Sequence, residues 1–570
     1  MKSLNELETR NELADYLKIP KKTLSYILYI KKVDELYISF EIPKKGGGVR
    51  SIDAPVEQLK NIQRKVADAL WKYQLDIWKS RNVNPNISHA FTKGKGIITN
   101  AQIHRNKRFV YNLDLENFFD SFHFGRVRGF FLKNRDYQFA DEVAATIANL
   151  CCYKGKLPQG APSSPIITNL ICNVMDMRLL KIAKKYKLDY TRYADDLTFS
   201  TNDRKFLEIQ EQFYQEVAKE IESSGFKIND KKTRLQFRDS RQEVTGVIVN
   251  KKLNVNRDYY KRTRAMAYEL YTKGEFFIDG EAGTMNQLEG RFSFIDQLEQ
   301  YNNKRDGNKH NFNELNGREI QYQKFLFYKY FFVNEKPVIV TEGKTDIVYI
   351  KAALKNLYKE YPALVTKNSK GEFGYKISFF KKTKKMRYFL NIVKDGGDMM
   401  KNICNFFTNH GGVKSPNYLE TFKKLSETIP QNPVILLLDN EFEGGKPVDK
   451  CVKYLQLTEE EKETLKRENR LNIVDNLYLV VTPLMKEKES DIEDLFDKET
   501  LAKEINGKSF CKKDKYDINK YYGKEIFSKH IMRNYEDINF DGFKPLLNNI
   551  QSVVESYNRI KKESNRVQGE

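Results

Sequence analysis

Only six cysteines are spread over 570 residues (Cys151, Cys152, Cys172, Cys404, Cys451 and Cys511), with no CxxC pair and no flanking histidine cluster. That excludes a zinc ribbon and a disulfide framework, and it fits a reducing compartment. No apolar run approaches the length of a membrane span, and the N-terminal MKSLNELETRNELADYL is charged where a signal peptide would carry its apolar core. A soluble cytoplasmic protein with no membrane partner is the expectation. No internal repeat is found either.

What the chain has is positive charge. Lys and Arg number 98 against 77 for Asp and Glu, a formal net charge of +21. Such a balance suits a polyanionic partner, nucleic acid first, and also describes a solvated basic surface, so motifs must decide between them. The length predicts roughly two to four folding units.

Residues 1–35 read as short helices, with Pro20 interrupting LADYLKI and KKTLSYILYI. From Tyr37 the pattern turns strand-like (YISFEIP), passes the Gly46-Gly47-Gly48 turn to VRSIDAP and enters a basic helix, which suits a nucleotide-gripping lobe. Residues 109–250 mix strands (FVYNLDL, LTFS, VTGVIVN) with long amphipathic helices, an α+β core. The polar stretch YNNKRDGNKHNFNELNGRE then resembles a domain boundary. Beyond it, KPVIVTEGKTD and NPVILLLDNE are short buried strands ending in acids, which predicts a parallel α/β domain.

The most informative stretch is Tyr193-Ala194-Asp195-Asp196, followed by the apolar LTFS. Adjacent acids at a hairpin tip repel unless cations neutralise them, so a metal site explains them better than packing. Asp114 closes the strand-like NLDL and is placed to meet the pair in space. Two divalent ions held about 3.5–4 Å apart by such carboxylates can activate a primer hydroxyl and stabilise departing pyrophosphate.

With Asp114, LPQGAPSSPIITN and YADD in this order, the chain resembles a reverse transcriptase, and over residues 20–300 a bacterial retron reverse transcriptase. The resemblance implies a right-hand polymerase of fingers, palm and thumb, with Asp114, Asp195 and Asp196 binding two Mg2+ ions. It places Gln159 and Gly160 along the incoming dNTP and template, and aligns Asn229, Lys232 and Thr233 of GFKINDKKT with the next palm motif. Lys232 becomes a proton donor to pyrophosphate, or else a surface lysine. Lys44, Lys45 and Arg50 fall in the fingers pattern, where cations could clamp the triphosphate. Phe119 takes the position where an aromatic ring would exclude a ribose 2′-hydroxyl; alternatively Phe118 and Phe119 are both core. Asn100-Ala101-Gln102-Ile103-His104 resembles the retron NAxxH signature and Val244-Thr245-Gly246 the VTG signature. Both imply contact with a cognate structured non-coding RNA, His104 being an RNA or structural contact rather than a catalyst.

In the second half, Glu342-Gly343-Lys344-Thr345-Asp346 follows one strand, and Asp439 and Glu441 end another. Acids at the carboxyl ends of parallel strands sit where α/β sheets place ligands. The arrangement resembles a Toprim domain, whose acids bind Mg2+ or Mn2+, although Glu441 stands where the pattern has Asp. The DIEDLF run resembles a segment of Toprim nucleases of the overcoming-lysogenization-defect type and adds Glu493 as a ligand, or as the acid of a helix start. Gly396-Gly397 is a candidate turn near that site and Lys524 a candidate phosphate partner.

The resemblances imply an α+β right-hand polymerase followed by an α/β Toprim-like domain: residues 1–35 helical, 36–315 reverse transcriptase, 316–334 linker, and 335–570 Toprim-like with a C-terminal extension. The implied function is synthesis of RNA-linked single-stranded DNA (msDNA) from the cognate RNA, with a nuclease effector acting on a nucleic-acid target in bacterial anti-phage defence. A homo-oligomer is compatible with this. The competing reading makes the second half a catalytically inactive Toprim-shaped docking module. An intron-mobility enzyme is disfavoured because no HNH-like pattern is found, and a topoisomerase or primase because neither a nucleophilic-tyrosine module nor a template-binding module is found.

Overall fold

The computed structural model describes residues 2–43, 47–83, 86–307, 314–392, 397–410, 415–442, 445–484, 489–513 and 515–568. The chain divides into two compact units, Met1–Arg257 and Asp258–Glu570. Among the described residues, no helix is long and apolar enough to cross a membrane.

The first unit opens with the short helices Arg10–Tyr16 and Lys21–Ser25, then a hairpin of β1 (Tyr37–Pro43) and β2 (Val49–Pro55). Its centre is a four-stranded antiparallel sheet of β3 (Phe109–Asp114), β4 (Asp189–Tyr193), β5 (Asp196–Thr201) and β6 (Arg234–Phe237), in the order β4-β5-β3-β6. Alternation along the strands sorts its two faces. Phe109, Tyr111, Leu113, Tyr190, Leu197 and Phe199 face a core shared with helices α1 (Ser164–Lys185) and α2 (Phe206–Ser223). Each fully buried phenylalanine there, such as Phe199 or Phe213, contributes about 1.5–3 kcal/mol.

The opposite face is polar: Asn112, Asp114, Thr191, Asp196, Thr198 and Ser200 alternate with those apolar residues. It is covered by the helix Ile97–Ala101, the turn Gln102–His104 and the small hairpin Glu243–Ile248. The two stretches that carry the NAxxH and VTG motifs therefore lie against each other. His104 is fully buried between Ser200 Oγ (2.7 Å) and Thr191 Oγ1 (2.6 Å), and Thr191 in turn donates to Asn100 Oδ1 at 2.6 Å.

The second unit is a three-layer α/β arrangement. Its sheet has the order β8-β7-β9-β11-β10, from β7 (Val338–Thr341), β8 (Ser378–Phe379), β9 (Val434–Leu438), β10 (Arg470–Val474) and β11 (Leu477–Val481); only β10 is antiparallel. Ile339, Ile435, Leu437 and Val480 pack on helices α4 (Lys344–Asn356), α5 (Lys524–Arg533) and α6 (Lys544–Gln568). Val338, Val340, Leu436 and Leu479 pack on Phe325, Phe327 and Phe331. Those aromatics belong to α3 (Gly317–Phe327) and its continuation Tyr328–Phe332, so the stretch 316–334 expected as a linker is instead a buried helix. Helices Arg257–Lys273 and Met285–Arg305, counted from the sequence with the polymerase, contribute Leu270, Tyr271, Leu288 and Phe292 to the same core.

Burial pushes the His104 imidazole down to about 3, against about 6.5 when unfolded. Its folded pKa being the lower, the unfolded chain binds the proton first, and stability falls as pH drops from about 6.5 toward 3. His104 should cost the first unit roughly 2 kcal/mol between pH 6.5 and 5. Denaturant midpoints at the two pH values should therefore differ less in His104→Gln than in the parent; equal differences would show that the imidazole titrates freely.

Candidate active site

At the end of the first unit's sheet the register sets Asp114 of β3 directly opposite Asp196 of β5. Tyr193 pairs with Asp196, which leaves Ala194 and Asp195 as a two-residue turn. The turn is tied down by Leu115, whose N–H donates to the Asp195 carbonyl at 3.0 Å. Burial, then Asp195, then Asp114 push the Asp196 carboxyl up to about 7; burial and Asp114 also raise Asp195, while Arg50 is near enough to oppose that rise. Asp114 accepts from Lys232 Nζ at 3.0 Å on both oxygens and from Asn229 Nδ2 at 3.2 Å. A cavity of about 280 Å³ opens here, lined by Asp114, Asp196, Lys231, Lys232 and Arg234 among others.

Behind the turn lies a buried ion pair that sequence reasoning missed. Arg192, fully buried, meets Asp176 of α1 through Nε at 2.8 Å and Nη2 at 2.9 Å. Its Nη1 donates to the Ala194 carbonyl at 3.1 Å, and Tyr190 donates to the same Asp176 at 2.9 Å. Ala194 has φ +57°, a left-handed conformation costly for a residue with a Cβ. The guanidinium thus clamps a strained turn whose next residues are the two acids. The signal available in sequence was a charged residue at a strand position that alternation assigns to the apolar face.

The remaining expected residues are partly gathered. Lys44 and Lys45 lie outside the described residues. Arg50 is exposed on β2, and the Gln159 carbonyl accepts from the Asp53 N–H of that strand at 2.9 Å. Gly160 has φ +133°, and a Cβ there would meet the Asp53 carbonyl oxygen at 2.8 Å, so the close approach requires glycine. Phe118 is the core ring, packed on Phe122 and Phe226, whereas Phe119 is half-buried. Asn100 and His104 are wholly interior and present no side-chain atom to an RNA; of the two roles expected of His104, the structural contact is the one its burial fits. Val244 is buried too; Thr245 (φ +47°) and Gly246 (φ +80°) make the two-residue turn of its hairpin, and Gly246 is exposed.

Residues 42–249 match the family model described as reverse transcriptase (RNA-dependent DNA polymerase). The retron Ec86 reverse transcriptase of Escherichia coli is 32% identical over 300 residues, covering 51% of this chain and 85% of that protein. The chain belongs to the retron reverse-transcriptase family. The retron Mx65 reverse transcriptase of Myxococcus xanthus is 38% identical over 251 residues, 41% of this chain, and the match spans 56% of that relative's length. The solved telomerase of Candida albicans, bound to a fragment of telomeric RNA, aligns over 74% of this chain and 70% of its own at 12% identity and a TM-score of 0.33, too low to bear on the assignment.

The chain carries a second acidic cluster beyond residue 249. Glu342 follows β7 and Asp439 follows β9, at the carboxyl edge of parallel strands. Burial, then Asp346, then Glu441 raise Glu342 to about 7; burial, then Asp346, then Glu342 raise Asp439 to about 8. Asp346, unremarked in sequence except within EGKTD, is buried and accepts the Gly343 N–H at 2.7 Å. Glu493 is fully buried, with one oxygen on Lys524 Nζ at 3.0 Å and the other without a partner; Glu342 Oε2 likewise has none. Glu441 pairs with Lys446 at 3.0 Å. Gly396 lies outside the described residues. Among the described residues of both units, no three His, Cys, Asp or Glu side chains close into a ready-made metal cage.

Removing one partner of a buried pair strands the other charge, which costs about 3–5 kcal/mol, whereas an apolar replacement of both is close to neutral. Arg192→Met should therefore lower the stability of the first unit by that amount, and Arg192→Met with Asp176→Leu should recover most of it. Additive losses in a double-mutant cycle would show that the two side chains are not coupled.

Proposed function

We propose that the first unit is an RNA-directed DNA polymerase that copies part of a cognate structured RNA into RNA-linked single-stranded DNA. The observation that carries this is the cross-strand pairing of Asp114 with Asp196 beside Asp195. Family membership supports the reading, and the net charge of +21 suits an RNA partner. The cluster fits divalent cations: two carboxyls driven upward by burial and by neighbouring carboxylates, Asp114 among them, mark negative potential that the neighbouring lysine does not cancel. A closed cage is not required, because Mg2+ is held by one or two carboxylates plus water and substrate phosphate. Asp114, Asp195 and Asp196 would hold two ions, which supply activation of the primer hydroxyl and stabilisation of pyrophosphate.

The chain's own groups do the rest. Hydrogen bonding to Asp114 raises Lys232, so its ammonium stays charged and is positioned to donate a proton to the leaving pyrophosphate. Arg50 meets the triphosphate, and the half-buried Phe119 ring restricts the sugar to deoxyribose. The VTG turn offers the exposed backbone of Gly246 to the RNA, while His104 and Asn100 act by tying their own stretch to strands β4 and β5. Asp195→Asn with Asp196→Asn should leave the thermal midpoint of the first unit unchanged or higher, since like charges are removed, and should abolish RNA-linked DNA in the purified complex. DNA synthesis at parental rate would refute the assignment.

For the second unit we propose a Toprim-like nuclease, an effector restrained by the DNA product in anti-phage defence. Glu342, Asp439 and Glu493 would hold Mg2+ or Mn2+, and the buried unpartnered oxygens of Glu342 and Glu493 fit a cation. Glu441 contributes its charge from beside them. The Lys446 ammonium on Glu441 and the Lys524 ammonium on Glu493 favour a second reading, an inert docking module whose lysines stand in for metal. Expression with the cognate RNA, followed by destruction of the DNA product, distinguishes them. Toxicity lost in both Glu342→Ala and Asp439→Ala supports the nuclease; equal toxicity of parent and variants leaves the docking module.

A further inference from the structure

The carboxyl edge of the second unit's sheet carries both signs of charge in a set order. Lys381 and Lys382 follow edge strand β8, Glu342 follows its neighbour β7, and Asp439 follows β9. Lys382 Nζ donates to the Glu342 backbone carbonyl at 2.7 Å, so the basic corner abuts the acidic one. Beside them opens a cavity of about 520 Å³, well within the range of small-molecule sites. Lys344, Lys351, Lys381, Lys382 and Arg387 line it, and there is no carboxylate among its described lining residues. Five cations around one cavity make its potential favourable to an anion. Lys344 is also the first residue of the 13-residue helix α4, whose N-terminal N–H groups add to the positive potential.

The cavity is not built for an anion alone. Tyr375 and Phe379 are half-buried on its wall, and Lys351 Nζ stands 5.6 Å and 5.3 Å from their ring centroids. Charge and aromatic surface thus lie within the span of a single nucleotide. Inorganic phosphate would leave the rings unused, and an acidic peptide gains nothing from them. A base stacks favourably on such a ring whatever its identity. Duplex bases are already stacked and paired, which leaves an unpaired strand as the occupant the rings select.

We propose that this cavity is a subsite for one nucleotide of a single-stranded nucleic acid, with its phosphate on Lys344, Lys351 and Lys382 and its base against Tyr375 and Phe379. The next phosphodiester then runs along the sheet edge to Glu342 and Asp439. The direction of the strand on that edge rests on the nuclease reading above; the subsite itself does not.

The test is photocrosslinking of the full-length chain to a 5-iodouridine-bearing single strand, in DNA and RNA versions, with a chelator present and the labelled peptides mapped. Label is expected within residues 373–387. It should fall at least tenfold in the Lys344→Glu, Lys351→Glu double variant and severalfold in Lys351→Met, which keeps an unbranched stem over the rings without the charge, while label on residues 1–257 is unchanged. A duplex of the same sequence should not label the segment. No label there, label indifferent to both variants, equal labelling by duplex, or displacement only by a free nucleoside triphosphate and not by unlabelled strand would each overturn the proposal. Parallel Mg2+ cleavage assays on the parent and Glu342→Ala separate the two readings. A strand that labels the segment but is never cut keeps the subsite and removes the nuclease, whereas a strand cut in a Glu342-dependent manner without labelling removes the subsite alone.

Discussion

Like charges held together at one partly buried turn are the constraint around which the first unit is arranged. Antiparallel register brings Asp114 and Asp196 face to face, and a two-residue turn leaves Asp195 no room to retreat. Left alone, such a cluster would protonate or spread, as the rise of Asp196 to about 7 indicates. Spreading is prevented from both sides. In front, Lys232 and Asn229 hold the Asp114 carboxylate; behind, the Arg192–Asp176 pair fixes the Ala194 carbonyl. Since the pair is dry, it acts as a rigid strut rather than a surface ion pair worth a few tenths of a kcal/mol.

The second unit meets the same problem with a different scaffold. Parallel strands deliver Glu342 and Asp439 to one edge, and the helix start after Gly343 adds Asp346. Glycine at 343 is required by contact: a Cβ there would lie 2.7 Å from Asp346 Oδ1. Lysines answer the acids one by one, Lys524 on Glu493 and Lys446 on Glu441, but Glu342 keeps a buried oxygen with no partner. Two unrelated sheets thus end in clusters whose charge their own side chains leave incompletely matched.

How much of this could be read from sequence depended on whether a residue's role showed in its immediate neighbours. The acids of YADD and NLDL announced themselves because strand alternation and adjacency leave few other uses for them. The β1–β2 hairpin and the acid-ended strands of the second unit were legible for the same reason. The Arg192–Asp176 pair was not, since Arg192 shows only as a charge at an apolar strand position and Asp176, on a helix, looks like ordinary surface until the fold sets them face to face. The run YQKFLFYKYFF was absorbed into a linker by the polar residues before it, although its aromatics form a buried helix. His104 was read as a contact from its motif, and its burial between Ser200 and Thr191 depends on strands about a hundred residues away.

The basic charge of the chain takes its meaning from where these acids lie. A phosphate chain approaching Asp114 and Asp196, or Glu342 and Asp439, would be repelled by the carboxylates alone. Around the first pair stand Arg50, Lys231, Lys232 and Arg234; beside the second stand Lys382 and Lys524, both near enough to lower Glu342. These cations offset part of the repulsion that a polyanion meets, while the carboxylates keep the raised pKa of an incompletely neutralised cluster. Exposed lysines are screened by salt over a Debye length of roughly 8–10 Å, and partly buried carboxylates much less. On the functions proposed above, recognition of nucleic acid and occupation of the metal sites would rest on charges of opposite sign with different sensitivity to ionic strength. Added salt would then loosen the hold on the strand before it weakened the clusters, and that separation would let a strongly basic protein keep partly buried acids at its centres.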